Sequence, residues 1–175
     1  MVACVGTFSV VNLLSPDDVI AGKNDPVMTE EGNNTIVKEG QGQPGENTGT
    51  EKITVNDWEK VSYVKKKYPQ LLIPQYVPEG FEFTELVVEA NEMFDTYTYN
   101  YAQGENILRI VQITGTEFKM IKDYDRSLET ESGIEIRIKE DEEKTGHFLI
   151  SDSMCAIECD LSDKQYEHMV EALER

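Results

Sequence analysis

The sequence predicts an α+β fold, an antiparallel sheet of about five to seven strands with a packed C-terminal helix and a short N-terminal helix. Period-two alternation over the second half of the chain predicts the sheet, and two stretches with helical spacing predict the helices that flank it. Proline- and glycine-bearing strings between them supply the turns.

The first helix is read from Trp58, Val61, Val64 and Tyr68, which fall on one face at helical spacing. Thr54 is a possible cap with Asp57 three residues on, and Pro69 stops the run. Trp58 on that stripe is expected to anchor the helix to the domain rather than to serve a binding surface. Next, Leu71-Leu-Ile-Pro74-Gln-Tyr-Val-Pro78-Glu-Gly80-Phe81 reads as an extended strip that ends in a turn at Pro78-Glu79-Gly80.

Strands follow. Phe81 and Phe83 lead into Leu86, Val87 and Val88; Tyr97, Tyr99 and Tyr101 alternate with Thr98 and Asn100; Ile107 to Thr114 forms a third run. Gly104-Glu105-Asn106 is a hairpin turn between the last two. Ile134, Ile136 and Ile138 alternate with Glu135 and Arg137, and His147 to Ser151 and Met154 to Leu161 add two short strands. Polar-out alternation of this kind belongs to an antiparallel sheet covered on one face. Ser162-Asp-Lys-Gln165 is a capping box, and it opens a final helix whose Tyr166, Met169, Val170 and Leu173 share a face.

The domain is expected over residues 54–175. Residues 22–53 read as a flexible acidic linker: residues 22 to 51 hold 6 of the 12 glycines and only Val27, Met28, Ile36 and Val37 to bury. Thr35-Ile36-Val37-Lys38 could still lend a short edge strand. Residues 1–21 read as the end of a truncated membrane-anchoring segment. The apolar run Val2–Leu14 is 13 residues long, against the roughly 20 that span a bilayer. No Lys or Arg follows it until Lys23, whereas Asp17 and Asp18 come directly after Pro16, so the flank has the character of an external side. The alternative is a short buried element native to the domain. Met1-Val2-Ala3-Cys4 faintly resembles the end of a lipoprotein cleavage site, but the apolar continuation after Cys4 argues against that reading.

A formal charge of -18, from 34 acids against 16 bases, repels phosphate backbones, and nucleic acid is not an expected partner. Cys4, Cys155 and Cys159 are too few for a disulfide scaffold. Cys155 and Cys159 are expected to be small buried hydrophobes, since along a strand they stand about 13 Å apart. Asp123-Tyr-Asp125-Arg-Ser127-Leu-Glu129 begins like a calcium loop, then places Leu128 at the required glycine and Ile134 at the bidentate Glu. It reads as a solvated polar loop, and Glu140-Asp-Glu-Glu143 as a hairpin tip. No metal site and no cofactor are expected. His147 and His168 have no nucleophile partner by motif, so no catalytic residue is assigned and the chain is not expected to be an enzyme. The Tyr97, Tyr99, Tyr101 stripe is the candidate ligand-binding surface, with a half-buried strand covering the core edge as the alternative.

Tyr76-Val-Pro-Glu-Gly-Phe-Glu-Phe83, Leu108-Arg-Ile-Val-Gln-Ile113 and the helix from Leu161 to Leu173, in that order, resemble a known pattern. They are similar to domain-of-unknown-function family 4367, the external domain of single-span proteins of Gram-positive bacteria. The resemblance covers the last hundred or so residues; the Trp expected near the last hairpin is replaced by His147-Phe-Leu-Ile. It implies an extracytoplasmic domain on a cell-membrane protein, in some members behind a cytoplasmic anti-sigma-factor-like part, and it implies no catalytic residues.

The resulting expectation is an extracytoplasmic sensory or interaction module, tethered through the N-terminal span, whose partner is an envelope component or another protein. Two alternatives stand beside it: a small-ligand carrier or ligand-binding lipoprotein, and a hydrolase of unknown type.

Overall fold

Alternating apolar and polar residues give most strands one dry and one wetter face, and the chain folds so that the dry faces form one continuous surface. The computed structural model describes the backbone of residues 27–31, 34–39, 50–115 and 117–174, and side chains over 51–115 and 117–173. In chain order the elements are β1 (Val27–Glu31), β2 (Asn34–Glu39), β3 (Thr50–Val55), α1 (Trp58–Lys67), β4 (Ile73–Pro74), β5 (Glu82–Ala90) and β6 (Asp95–Gln103). They continue with β7 (Asn106–Thr114), β8 (Arg126–Glu129), β9 (Glu135–Glu140), β10 (Lys144–Ile150), β11 (Ser153–Glu158), α2 (Asp163–Glu171) and β12 (Leu173–Glu174).

The protein is α+β. Its main sheet runs β1-β2-β3-β5-β6-β7-β11-β10-β9-β8, and every neighbouring pair is antiparallel. With the outlying β1 and β2 set aside, 8 strands remain, slightly more than the five to seven expected. The surplus comes from two segments. β3 is composed as Thr-Glu-Lys-Ile-Thr-Val and was expected to be linker and helix cap; β8 is the polar Arg-Ser-Leu-Glu expected to be a loop. β8 lies at the sheet edge, where pairing asks little burial of its side chains. Strands β1, β2 and part of β3 also occupy the stretch 22–53 expected as linker, and residues 1–21 lie outside the described residues.

Both helices lie on one face. α1 starts one turn later than the sequence suggested: Asp57 is the N-cap, accepting from the Glu59 N–H at 3.0 Å, while Thr54 sits in β3 opposite Val87. α2 carries the expected capping box, with Gln165 Oε1 accepting from the Ser162 N–H at 3.0 Å. Between the sheet and the helices lies the core: Ile53, Val55, Leu86, Val88, Leu108, Ile110, Ile136, Ile138, Phe148 and Ile157 from below, Val61, Val64, Tyr166, Met169 and Val170 from above. The strip from Tyr68 to Pro74 fills the gap between the helices, and its end, β4, pairs with β12.

Turn chemistry follows the residues. Phe81 N–H donates to Pro78 O at 3.3 Å across a turn in which Gly80 has φ +91, the conformation that a type II turn requires at that position. A two-residue turn at Gly104 and Glu105 joins β6 to β7, with Gln103 opposite Asn106.

Candidate functional site

Tyr97, Tyr99 and Tyr101 point into the covered face. All three are buried, stacked beneath α1 and the Tyr68–Leu72 strip. Tyr99 donates to Leu72 O at 3.0 Å, and Tyr97 donates to Asp95 at 3.0 Å. The Tyr101 hydroxyl is buried without a partner among the described residues. Burial raises the ionisation of each above the ordinary phenol range, and the Asp95 carboxylate adds to the effect at Tyr97. The expected ligand-lining stripe is therefore core: the tyrosines line none of the three clefts described below, and α1 would have to lift for a ligand to reach them. Trp58 packs edge-on to Phe83 at 5.1 Å and near Tyr99 and Tyr101, but it stays 41% exposed, so it anchors α1 only in part.

Among the described residues, the other face of the sheet carries no helix. Register places Thr54, Val87, Thr98, Val111, Ala156, His147 and Arg137 in one row across seven strands. A parallel row holds Thr96, Ile113, Met154 and Leu149. All of them are half-buried, and six of them are the apolar Val87, Val111, Ile113, Leu149, Met154 and Ala156, where a solvated face would carry polar side chains. A polar row borders this surface: Asn100 donates to Glu85 at 3.1 Å, and Arg109 contacts Asn100 at 3.3 Å and Glu158 at 2.6 Å. At 42% and 27% side-chain exposure the Arg109–Glu158 pair adds about 1 kcal/mol at most, so it orders the border rather than holding the fold.

At its far side the open face is partly roofed by residues 117–125. Arg137 donates to Ile121 O at 2.6 Å and stacks on Tyr124 at 4.9 Å, and Lys139 pairs with Asp123 at 3.3 Å. Asp123 to Asp125, the start of the segment read as a solvated polar loop, thus end a strap pinned to β9, and the rest of that segment is β8. Where the strap leaves β7, a cleft of about 600 Å³ opens between Phe118, Leu149 and the Ser151–Ser153 turn.

Two more clefts sit at the ends of the sheet. One, of about 590 Å³, lies between the Pro78–Phe81 turn and the two hairpin tips, with carboxylates Glu79, Glu105, Glu142, Glu143, Glu158 and Asp160 against the cations Arg109 and Lys144. The other, of about 390 Å³, is bounded by Gln70, the Asn91–Asp95 turn and Gly115. Beside it, buried Gln112 accepts from Leu72 N–H at 2.8 Å and donates to Gln70 O at 2.8 Å and Ser153 Oγ at 3.0 Å. A glutamine on the inward face of a strand was the available sequence signal for this clamp.

Among the described residues no group of three or more His, Cys, Asp or Glu could hold a metal ion, and no helix is long and apolar enough to cross a membrane. Cys155 is buried and Cys159 half-buried, and both thiols are free among the described residues; burial pushes Cys155 up to about 12. His147 lies in the open-face row, and burial lowers its pKa while Glu158 acts to raise it. His168 is exposed and stacks on Tyr76 at 3.8 Å. No family model, curated protein or solved structure matches the chain.

Proposed function

We propose that the chain is an extracytoplasmic interaction or sensory module of a membrane-anchored protein, and that it binds a partner protein of the envelope through the open face of its sheet. The observation that carries the reading is the apolar character of that face. In an antiparallel sheet covered on one side, the outward positions are ordinarily polar; here two adjacent rows present Val87, Val111, Ile113, Met154, Ala156 and Leu149 inside a polar border. A flat apolar centre with a charged rim is the anatomy of a protein-binding patch. The apolar run Val2–Leu14 and its acidic flank support the tether, and the resemblance to the external domain of single-span proteins supports the same placement.

The experiment expresses the full-length gene with a photo-crosslinking residue at Val111, and treats wall-stripped cells with protease. Cleavage of the domain in intact cells and a discrete adduct at position 111 that disappears with Ala156→Glu are expected. A domain protected until the cells are lysed sinks the external placement, and absence of an adduct at 111 sinks the open face as the docking surface.

A further inference from the structure

Val27, the first described residue after the apolar run, stands at one particular end of the sheet. Val27 pairs with Lys38, Glu39 with Thr50, and Glu51 with Ala90, so Val27, Thr50 and the Asn91–Phe94 turn all stand at the same end. The C-terminal end of α1 is there too, because Lys67 and Tyr68 both contact Glu51, at 2.6 Å and 3.0 Å.

This end is built unlike the opposite one. Met93 and Phe94 are 67% and 39% exposed at the tip of the β5–β6 hairpin. Their turn is held outward: Asn91 Oδ1 accepts from the Met93 N–H at 2.9 Å and the Phe94 N–H at 3.1 Å. Gly115, at φ +121, backs onto it so closely that a Cβ would stand 2.6 Å from Met93 O. The turn so fixed holds the apolar pair at the surface of this end.

Just over a turn back from the end of α1, Tyr63 is 68% exposed with the Lys66 ammonium 5.1 Å from its ring centre. Lys65, Lys66 and Lys67 form the only cationic run in the sequence. Around the hairpin tip, Lys52 and these three stand against Glu51, Glu89, Glu92, Asp95 and Asp152, a near-balance, whereas the cleft at the other end sets six carboxylates against two cations. Exposed apolar tips, an amphipathic tyrosine and lysines beside them match what a bilayer interface takes up. An acidic end turned away suits an anionic lipid surface.

We propose that this end of the domain faces the bilayer, with Met93 and Phe94 seated among the lipid headgroups and Tyr63 and Lys66 beside them. The inference rests on the membrane-anchored reading and adds an orientation to it: the open face stands upright, free for a partner.

The test uses the protein expressed from the full-length gene with a single reporter indole, Phe94→Trp or Ile107→Trp, each in a Trp58→Phe background, on vesicles of equal parts phosphatidylglycerol and phosphatidylethanolamine that contain brominated lipid. Position 107 is a fair control because Ile107 is 58% exposed at the opposite end. A blue shift and several-fold stronger quenching at 94 than at 107 are expected, and Met93→Trp gives the same reading if Phe94→Trp fails to fold. Chain that sediments with the vesicles while 94 is quenched no more than 107 overturns the orientation and leaves the tether standing. Chain that does not sediment at all overturns both. A shift at 94 that needs added envelope protein assigns this end to a protein partner and overturns the lipid contact.

Discussion

The tyrosine hydroxyls on β6 show how one side chain does different work at each position. Tyr99 stitches the Leu72 carbonyl to the sheet, whereas Tyr101 buries a hydroxyl that finds no partner among the described residues. A buried hydrogen bond contributes about 1 kcal/mol net, and a buried polar group left unpaired costs about 1–3 kcal/mol. Tyr99→Phe should therefore lower stability by about 1 kcal/mol, because it strands the Leu72 carbonyl. Tyr101→Phe should be neutral or raise stability by about 1 kcal/mol. Urea midpoints of the two variants, which differ from wild type by one oxygen each, check the pair. Equal losses would mean that Tyr101 is satisfied in solution, for example by a water. Gln112 belongs to the same scale: its amide satisfies a donor and an acceptor of the Gln70–Leu72 strip, so an inward polar residue on a core strand is a fastener here and not a flaw.

At the scale of elements, α2 is docked by Tyr166 over Gly146. A Cβ at 146 would stand 2.8 Å from the Tyr166 ring and 3.2 Å from Ile136, so glycine in the middle of β10 is what lets the ring lie flat on the sheet. The Tyr166 hydroxyl then donates to Cys159 O at 2.6 Å. Gly146→Ala should cost about 1–3 kcal/mol through overpacking, and Tyr166→Leu in the same chain should recover part of that loss. A double-mutant cycle in urea measures the coupling, and additive losses would separate the two sites. The same elements show what the sequence made legible. α2, its capping box, the Pro78–Gly80 turn and the β6–β7 hairpin are local, so their residues announce them. The β5 pattern was harder, since Phe83 and Leu86 share a face only because a bulge skips one residue between Phe83 and Glu85. β8 and β3 carry little apolar signal and are strands because a neighbour pairs with them. The tyrosine stripe was visible, but which face α1 would cover is a tertiary fact, and it turned the expected ligand surface into core. The open face was hidden for the same reason: Val87, Val111 and Ile113 read as ordinary strand apolars until the helices had chosen the opposite side.

For the molecule as a whole, the core's aromatic content sets the alkaline limit of stability. Tyr97, Tyr99, Tyr101 and Tyr166 are all enclosed between helices and sheet, and burial raises the ionisation of each in the folded state. In the unfolded chain a tyrosine ionises near 10. A raised folded value means that the native state holds its proton while the unfolded state lets go. The stabilisation is therefore fully present below pH 10 and falls as pH rises beyond it. Each such group removes up to about 1.4 kcal/mol per pH unit, so Tyr99 and Tyr101 alone remove about 3 kcal/mol by one unit above pH 10. Cys155, pushed up to about 12, acts with the same sign and begins earlier. Against a total stability of about 5–15 kcal/mol for a domain of this kind, that is enough to bring on cooperative unfolding. Tyrosinate absorbance and far-UV circular dichroism, followed together through an alkaline titration, should change in a single step, because the buried phenols ionise only when the sheet opens. If all the tyrosines titrated smoothly while the dichroism held, α1 would have to lift readily from β6 in the native state, and the buried stripe would again be open to a ligand.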